Sequence, residues 1–231
     1  MNAPCWNASI AEWLGGLFMA PLSTDAVASY RAGLGSTLLD ALDDEPGAAP
    51  GIRRMRLALL TAGSISEIQR GLAAAFTQLF DGVAGPKTVS LYESTRFGGS
   101  GRLFQNPVTD MNRLMRQLDL STEDAFREPA DHLSIELALL GRLLRQGSSQ
   151  KAETALLDDR LLAWVPGFSR ECDAADRTGF YAGAADVLTA FLLRRRMKLR
   201  RDDGLDQRPD TGPGTHRALN RSTGGMTCRS E

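Results

Sequence analysis

The sequence predicts an all-α fold, a globular multi-helix bundle followed by a disordered C-terminal tail. Three observations carry this. Apolar residues recur at three- and four-residue spacing along most of the chain, which is the period of a one-sided helix. Alanine and leucine abound while aromatic residues make up only 6%, a balance that favours helices over sandwiches or barrels. The 231 residues suffice for one large domain or for two smaller helical parts sharing a core.

Each element has its own signal. Trp6, Ile10, Trp13, Leu14, Leu17 and Phe18 lie on one helical face, and Pro21 stops the run. Ser23 and Thr24 can cap a second helix through Tyr30, and a third covers Leu34 to Leu42. The stretch 43–51, DDEPGAAPG, reads as a loop from its proline and glycine content. Helical patterns resume at 52–62 and at 64–81, the latter carrying Ile65, Ile68, Leu72, Phe76, Leu79 and Phe80. Residues 82–106 are rich in glycine and proline and lack a helical period; a loop that long is more often functional than idle.

Pro107 suits the first turn of a helix reaching about Leu118. Leu133, Leu137, Leu140 and Leu144 then form a stripe that Gly147 ends. Leu157, Leu161, Trp164, Phe168 and Cys172 form another stripe that stays in phase through Pro166, where a kink or two abutting helices is expected. A last helix spans about 178–199. The polar, Gly/Pro-rich end cannot bury enough apolar area to offset the entropy of ordering it.

Net charge is −1, unevenly spread: from Arg194 onward there are ten basic and five acidic residues, so the body holds 17 basic and 23 acidic, a net of −6. An acidic body does not suit nucleic acid, whose affinity comes from neutralising phosphates with Lys and Arg. The basic run RRRMKLRR, 194–201, reads as a solvated helix end whose cations complement the helix dipole, with a nucleic-acid patch as the other reading. Three scattered cysteines, Cys5, Cys172 and Cys228, show neither a disulfide framework nor zinc-ligand spacing. With no secretory leader pattern and no apolar run of about 18 residues, the expectation is a cytoplasmic protein without a membrane span, a metal or a cofactor.

The stretch REPADHLSIEL, 127–137, holds the one chemically suggestive corner. Pro129 disfavours helix at Glu128, so the helix over 107–118 cannot run on into the next. Asp131 suits the N-cap of the following helix, and His132 falls in its first turn. This corner reads either as a plain joint or as a catalytic site with His132 oriented by Glu136 at i+4. No nucleophile signature completes the second reading, and His216 lies in the tail, too remote to complete a metal site. The glycines of GGSG, 98–101, could wrap a phosphate but lack the Lys-Ser/Thr end of a P-loop. Tyr92 with Glu93 could serve peptide recognition or simply pack a loop, and Trp164 reads as core.

Taken in order, LYES (91–94), GRLFQNPVTDMNRLMRQLDL (101–120), EPADHLSIEL (128–137) and LLAWVPGFSRECDAADRTGFY (161–181) resemble the TorD/DmsD-type family of molybdoenzyme maturation chaperones, over roughly residues 8–200. That resemblance implies two helical subdomains, 1–126 and 133–201, joined by a hinge at 127–132, with 202–231 as tail. It implies a non-enzymatic role: binding the twin-arginine leader and the apo form of an exported molybdoenzyme of the TMAO/DMSO reductase type until the molybdenum cofactor is inserted. By position, Glu128, Pro129, Asp131 and His132 match the hinge motif, and Tyr92, Glu93 and Ser94 match the loop motif. Glu93, Glu128 and Asp131 are the expected partners of the leader's arginines. An opening hinge would also allow a homodimer by domain swapping. Thr95-Arg96 stands where relatives place a small apolar residue before the aromatic. The alternative is a small helical enzyme or nucleotide-binding regulator using His132 and the 98–101 loop.

Overall fold

A computed structural model of the chain describes residues 3–82, 88–96, 107–117, 128–147 and 150–206. Their regular structure is helical: α1 Ala3–Met19, α2 Thr24–Ala32, α3 Leu34–Asp43, α4 Ala49–Leu59, α5 Ile65–Phe80, α6 Pro107–Gln117, α7 Leu133–Gln146, α8 Gln150–Ala155, α9 Leu162–Ala175 and α10 Phe180–Asp206. The tail expected beyond the last helix is helical as far as Asp206, and 207–231 lie outside the described residues.

The helix ends follow local chemistry. Ser23 caps α2 by accepting from the Ala26 amide. At α5, Ser64 Oγ accepts from the Glu67 amide while the Glu67 carboxylate accepts from the Ser64 amide, a reciprocal cap of about 1 kcal/mol. Gly147 closes α7 in the left-handed conformation, φ 59°. The 43–51 stretch is shorter as a loop than its composition suggests. Helix α4 begins at Ala49 and takes Pro50 into its first turn, where no amide is needed.

Two close helix pairs set the frame. α1 lies along α7, with Gly15 and Gly141 at the contact; a Cβ on Gly15 would meet Ser134 O at 3.3 Å and one on Gly141 would meet Ala8 O at 3.3 Å. α4 crosses α10 still more tightly. A Cβ on Gly51 would fall 2.5 Å from Gly183 O, and one on Gly183 would fall 2.6 Å from Gly51 O. Between these pairs the core is aromatic: Phe18 meets Phe168 edge-on at 5.3 Å, Phe76 meets Phe80 at 5.1 Å, and Phe80 meets Tyr181 at 5.6 Å.

Pro166 does not break its helix. The irregularity comes one turn earlier, as a widened π-helical turn over Leu156–Leu161, in which the Leu162 amide reaches back five residues to Leu157 O. That turn ends at Leu162, the residue whose carbonyl the Pro166 ring would otherwise crowd. The basic run 194–201 is likewise not a helix end, because α10 continues past it. Three of its arginines are tied down: Arg194 to Glu45, Arg195 to Glu153 and Arg196 to Asp158.

The α4–α10 crossing yields a direct test. Gly183→Ala should lower stability in urea unfolding by about 1–3 kcal/mol, through overpacking. Gly16→Ala, whose new Cβ would meet nothing within 4 Å, should be neutral or stabilising by up to about 1 kcal/mol.

Candidate functional site

Residues 88–96 form a strap across the start of α7. Val89 donates its amide to Leu79 O at 2.7 Å, fixing one end to α5. Tyr92 and His132 then pair as an isolated antiparallel bridge, with Leu133 N donating to Leu91 O at 2.8 Å and Glu93 N to Asp131 O at 3.1 Å. The strap ends in a short 3₁₀ turn, Glu93–Arg96. Two motifs about 40 residues apart in sequence thus become one surface.

The side chains lock the same contact. Asp131 Oδ2 accepts from the Ser94 amide at 2.9 Å. Tyr92 donates its hydroxyl to Glu128 Oε2 at 2.5 Å, and its ring meets the His132 imidazole edge-on at 5.1 Å. Burial and the Glu128 carboxylate push the Tyr92 phenol up to about 12. Asp131 is not the N-cap that the sequence suggested. His132 takes that place, its Nδ1 accepting from the Ser134 amide at 3.2 Å, while the aspartate is turned towards the strap. Burial holds the His132 pKa below its usual value, so the imidazole is neutral near pH 7.

Beneath the strap lies a buried charged cluster. Arg160 donates to Glu93 Oε2, to Glu136 Oε1 at 3.3 Å and to Pro107 O at 3.2 Å. Trp164 Nε1 donates to Glu136 Oε2 at 3.3 Å. Two carboxyls against one guanidinium leave an excess negative charge in a dry place. Burial and the adjoining Glu93 therefore hold the Glu136 carboxyl well above the carboxylate range. Burial also raises Glu93, with Arg160 pulling the other way. Of the two carboxyls, Glu136 is the one driven further towards its neutral form. The widened turn before α9 brings Arg160 into this cluster.

Arg96 closes the strap from outside. It pairs with Glu171, donates to Ser90 O at 3.0 Å and lies 5.8 Å from the centre of the Trp164 ring. The departure from the family pattern at Thr95-Arg96 therefore carries a contact of its own, a second anchor to α9.

The seven residues read from the sequence do come together, but at different depths. Ser94 and Pro129 are exposed, Tyr92 and Glu128 half-buried, and Glu93, Asp131 and His132 buried. Of the three carboxylates expected to meet arginines, Glu93 is occupied by Arg160 and Asp131 by the strap amide; Glu128 keeps access to solvent. Glu136, read as an orienter for His132, instead faces Arg160 and Trp164, so the catalytic pairing is not assembled. Glycines 98–101 lie outside the described residues. Among the described residues no group of three or more His, Cys, Asp or Glu side chains is arranged to hold a metal ion, and no helix is long and apolar enough to cross a membrane.

The sequence has relatives. The family model described as "Nitrate reductase delta subunit" matches residues 45–170. The protein called "Chaperone protein TorD" in Photobacterium profundum is 33% identical over 196 residues, covering 80% of this chain and 90% of its own. The chain belongs to the TorD family. A protein also called "Chaperone protein TorD", in Aliivibrio fischeri, is 30% identical over 197 residues, 80% of this chain and 91% of that one. Another in Ferrimonas balearica is 32% identical over 196 residues, 80% and 86% respectively.

Two outcomes follow from the buried cluster. Arg160→Leu should cost about 3–5 kcal/mol in chemical denaturation, since it strands a buried carboxylate. Because the Glu136 pKa is raised on folding, its contribution is complete below the ordinary carboxylate pKa and is lost as pH climbs through the raised value. Glu136→Gln keeps the neutral form at every pH. Relative to the parent, that variant should gain stability as pH rises above the ordinary carboxylate range, in paired thermal melts.

Proposed function

We propose that the chain is a cytoplasmic chaperone for an exported molybdoenzyme of the TMAO/DMSO reductase type, acting by binding rather than by turnover. It holds the apo-enzyme through its twin-arginine leader until the molybdenum cofactor is in place. Membership of the TorD family supports the reading, together with the name "chaperone" that these relatives carry. The observation that carries it is the joining of the 91–94 and 128–132 motifs into one surface.

In this reading, the exposed Ser94 and Pro129 and the half-buried Tyr92 and Glu128 meet the leader. Glu128 is the carboxylate that receives an arginine, oriented by the Tyr92 hydroxyl. Glu93, Asp131 and His132 act from below by fixing the strap. Residues 127–132 serve as the hinge between 1–126 and 133–201. Opening it far enough for a swapped dimer must strip α1 from α7, so exchange is slow unless the partner chain restores the same contact.

Titration of the full chain with a synthetic leader peptide tests the assignment. Glu128→Gln should weaken binding about tenfold, or ~1.4 kcal/mol, and a leader with both arginines changed to lysine should lose a similar amount. Unchanged affinity for both would remove Glu128 from the leader site.

A further inference from the structure

The basic run 194–201 is not used by the strap. With Arg194, Arg195 and Arg196 held in ion pairs, Lys198, Arg200 and Arg201 remain exposed on α10 and Arg170 on α9, and none of these four has an ion-pair partner among the described residues. They do not surround a polar surface. Leu193 and Met197, one turn apart, are 48% and 56% exposed and form an apolar ridge between them. On one side of the ridge a groove of about 810 Å³ runs between α9 and α10, edged by Arg170, Lys198 and Arg201. On the other side a smaller groove of about 320 Å³ is edged by Arg200. The one carboxylate lining the larger groove, Asp186, is taken up by Arg54 at 3.1 Å and Ser169 at 2.9 Å.

We propose that this α9–α10 face docks an acidic amphipathic helix of a protein partner. The apolar ridge would receive the helix's apolar stripe, and the four cations would meet carboxylates flanking it. Arginine and methionine around an apolar centre are the residue types that interfaces favour. Unpaired cations facing an anionic partner both speed docking and exclude cationic competitors. A nucleic acid fits less well: the space between the cations is aliphatic, and no aromatic ring lines either groove for a base to stack on. The surface is separate from the strap. On the helical wheel of α9, Pro166 and Arg170 point about 160° and about 120° away from Trp164, which faces the buried cluster. A basic leader is repelled here, so the inference goes beyond the reading above and does not depend on it.

Fluorescence anisotropy with the full chain and four labelled probes tests it. The probes are a helical peptide with a leucine stripe flanked by glutamates, the same composition scrambled, a lysine counterpart of the first, and a short DNA duplex. The expected result is saturable binding of the acidic stripe peptide, with at least about tenfold weaker binding of the other three. Met197→Glu and the double variant Arg170→Glu/Lys198→Glu should each weaken it by at least about tenfold. All three positions are exposed, and unchanged thermal unfolding would show the fold intact. Twin-arginine leader binding, measured alongside, should be unaffected. Absent or non-saturable binding overturns the proposal, as does equal affinity for the scrambled peptide, tighter binding of DNA, or no effect of either variant.

Discussion

Arg160 lies buried between Glu93 on the strap and Glu136 on α7, and the geometry of the surface above depends on that contact. A buried guanidinium is costly unless its charge and its donors are matched. Here one nitrogen, Nη2, meets two carboxyls and a backbone carbonyl, while Nε is buried without a hydrogen-bond partner among the described residues. Val89 and Leu91 bury the first half of the strap in the core, and the ion pair draws in the polar turn 93–96 that follows. Once inward, the strap's backbone can pair with 131–133, and Tyr92 comes within reach of Glu128.

Such a surface is rigid where it is covered and receptive where it is not. Glu93, Asp131 and His132 are spent on internal partners, which explains why polar residues sit at a corner with no assembled catalytic pair. Their burial leaves the recognising chemistry to a few groups at the rim. The rim is also tied to α5, α7 and α9 at once, through Val89, Leu91 and Arg96 respectively.

The helices were legible because their burial is one-sided. The stripes at 133–144 and 157–172 and the Ser64 start are local patterns that a period of 3.6 exposes directly. Where a start was misjudged, at Ala49, the reason is also local: Pro50 and Gly51 look like loop residues, yet a first turn accepts proline and the crossing with α10 demands glycine. The cluster was not legible. Glu136 stands in phase with Leu133 and Leu140, and Arg160 precedes Trp164 by one turn, so each carried a signal as a charge on a buried face. What the sequence could not supply is their meeting, since it depends on how two helices and a strap pack. Likewise the motifs named the residues of the strap and hinge but not which of them turn inward.

The widened turn at 156–161 has a consequence for how this chain can change over time. It amounts to a helix that has taken in one residue more than regular winding needs, and the surplus is absorbed over six positions. Losing a single residue there would restore ordinary winding and leave the segment before it in phase with α9, because six residues of a widened turn rotate about as far as five of an α-helix. Glu153 would keep its place beside Arg195, whereas the wide turn that carries Arg160 to Glu93 and Glu136 would be gone. The helices on either side can therefore outlive a one-residue change of length here, and what such a change puts at stake is the buried cluster beneath the strap.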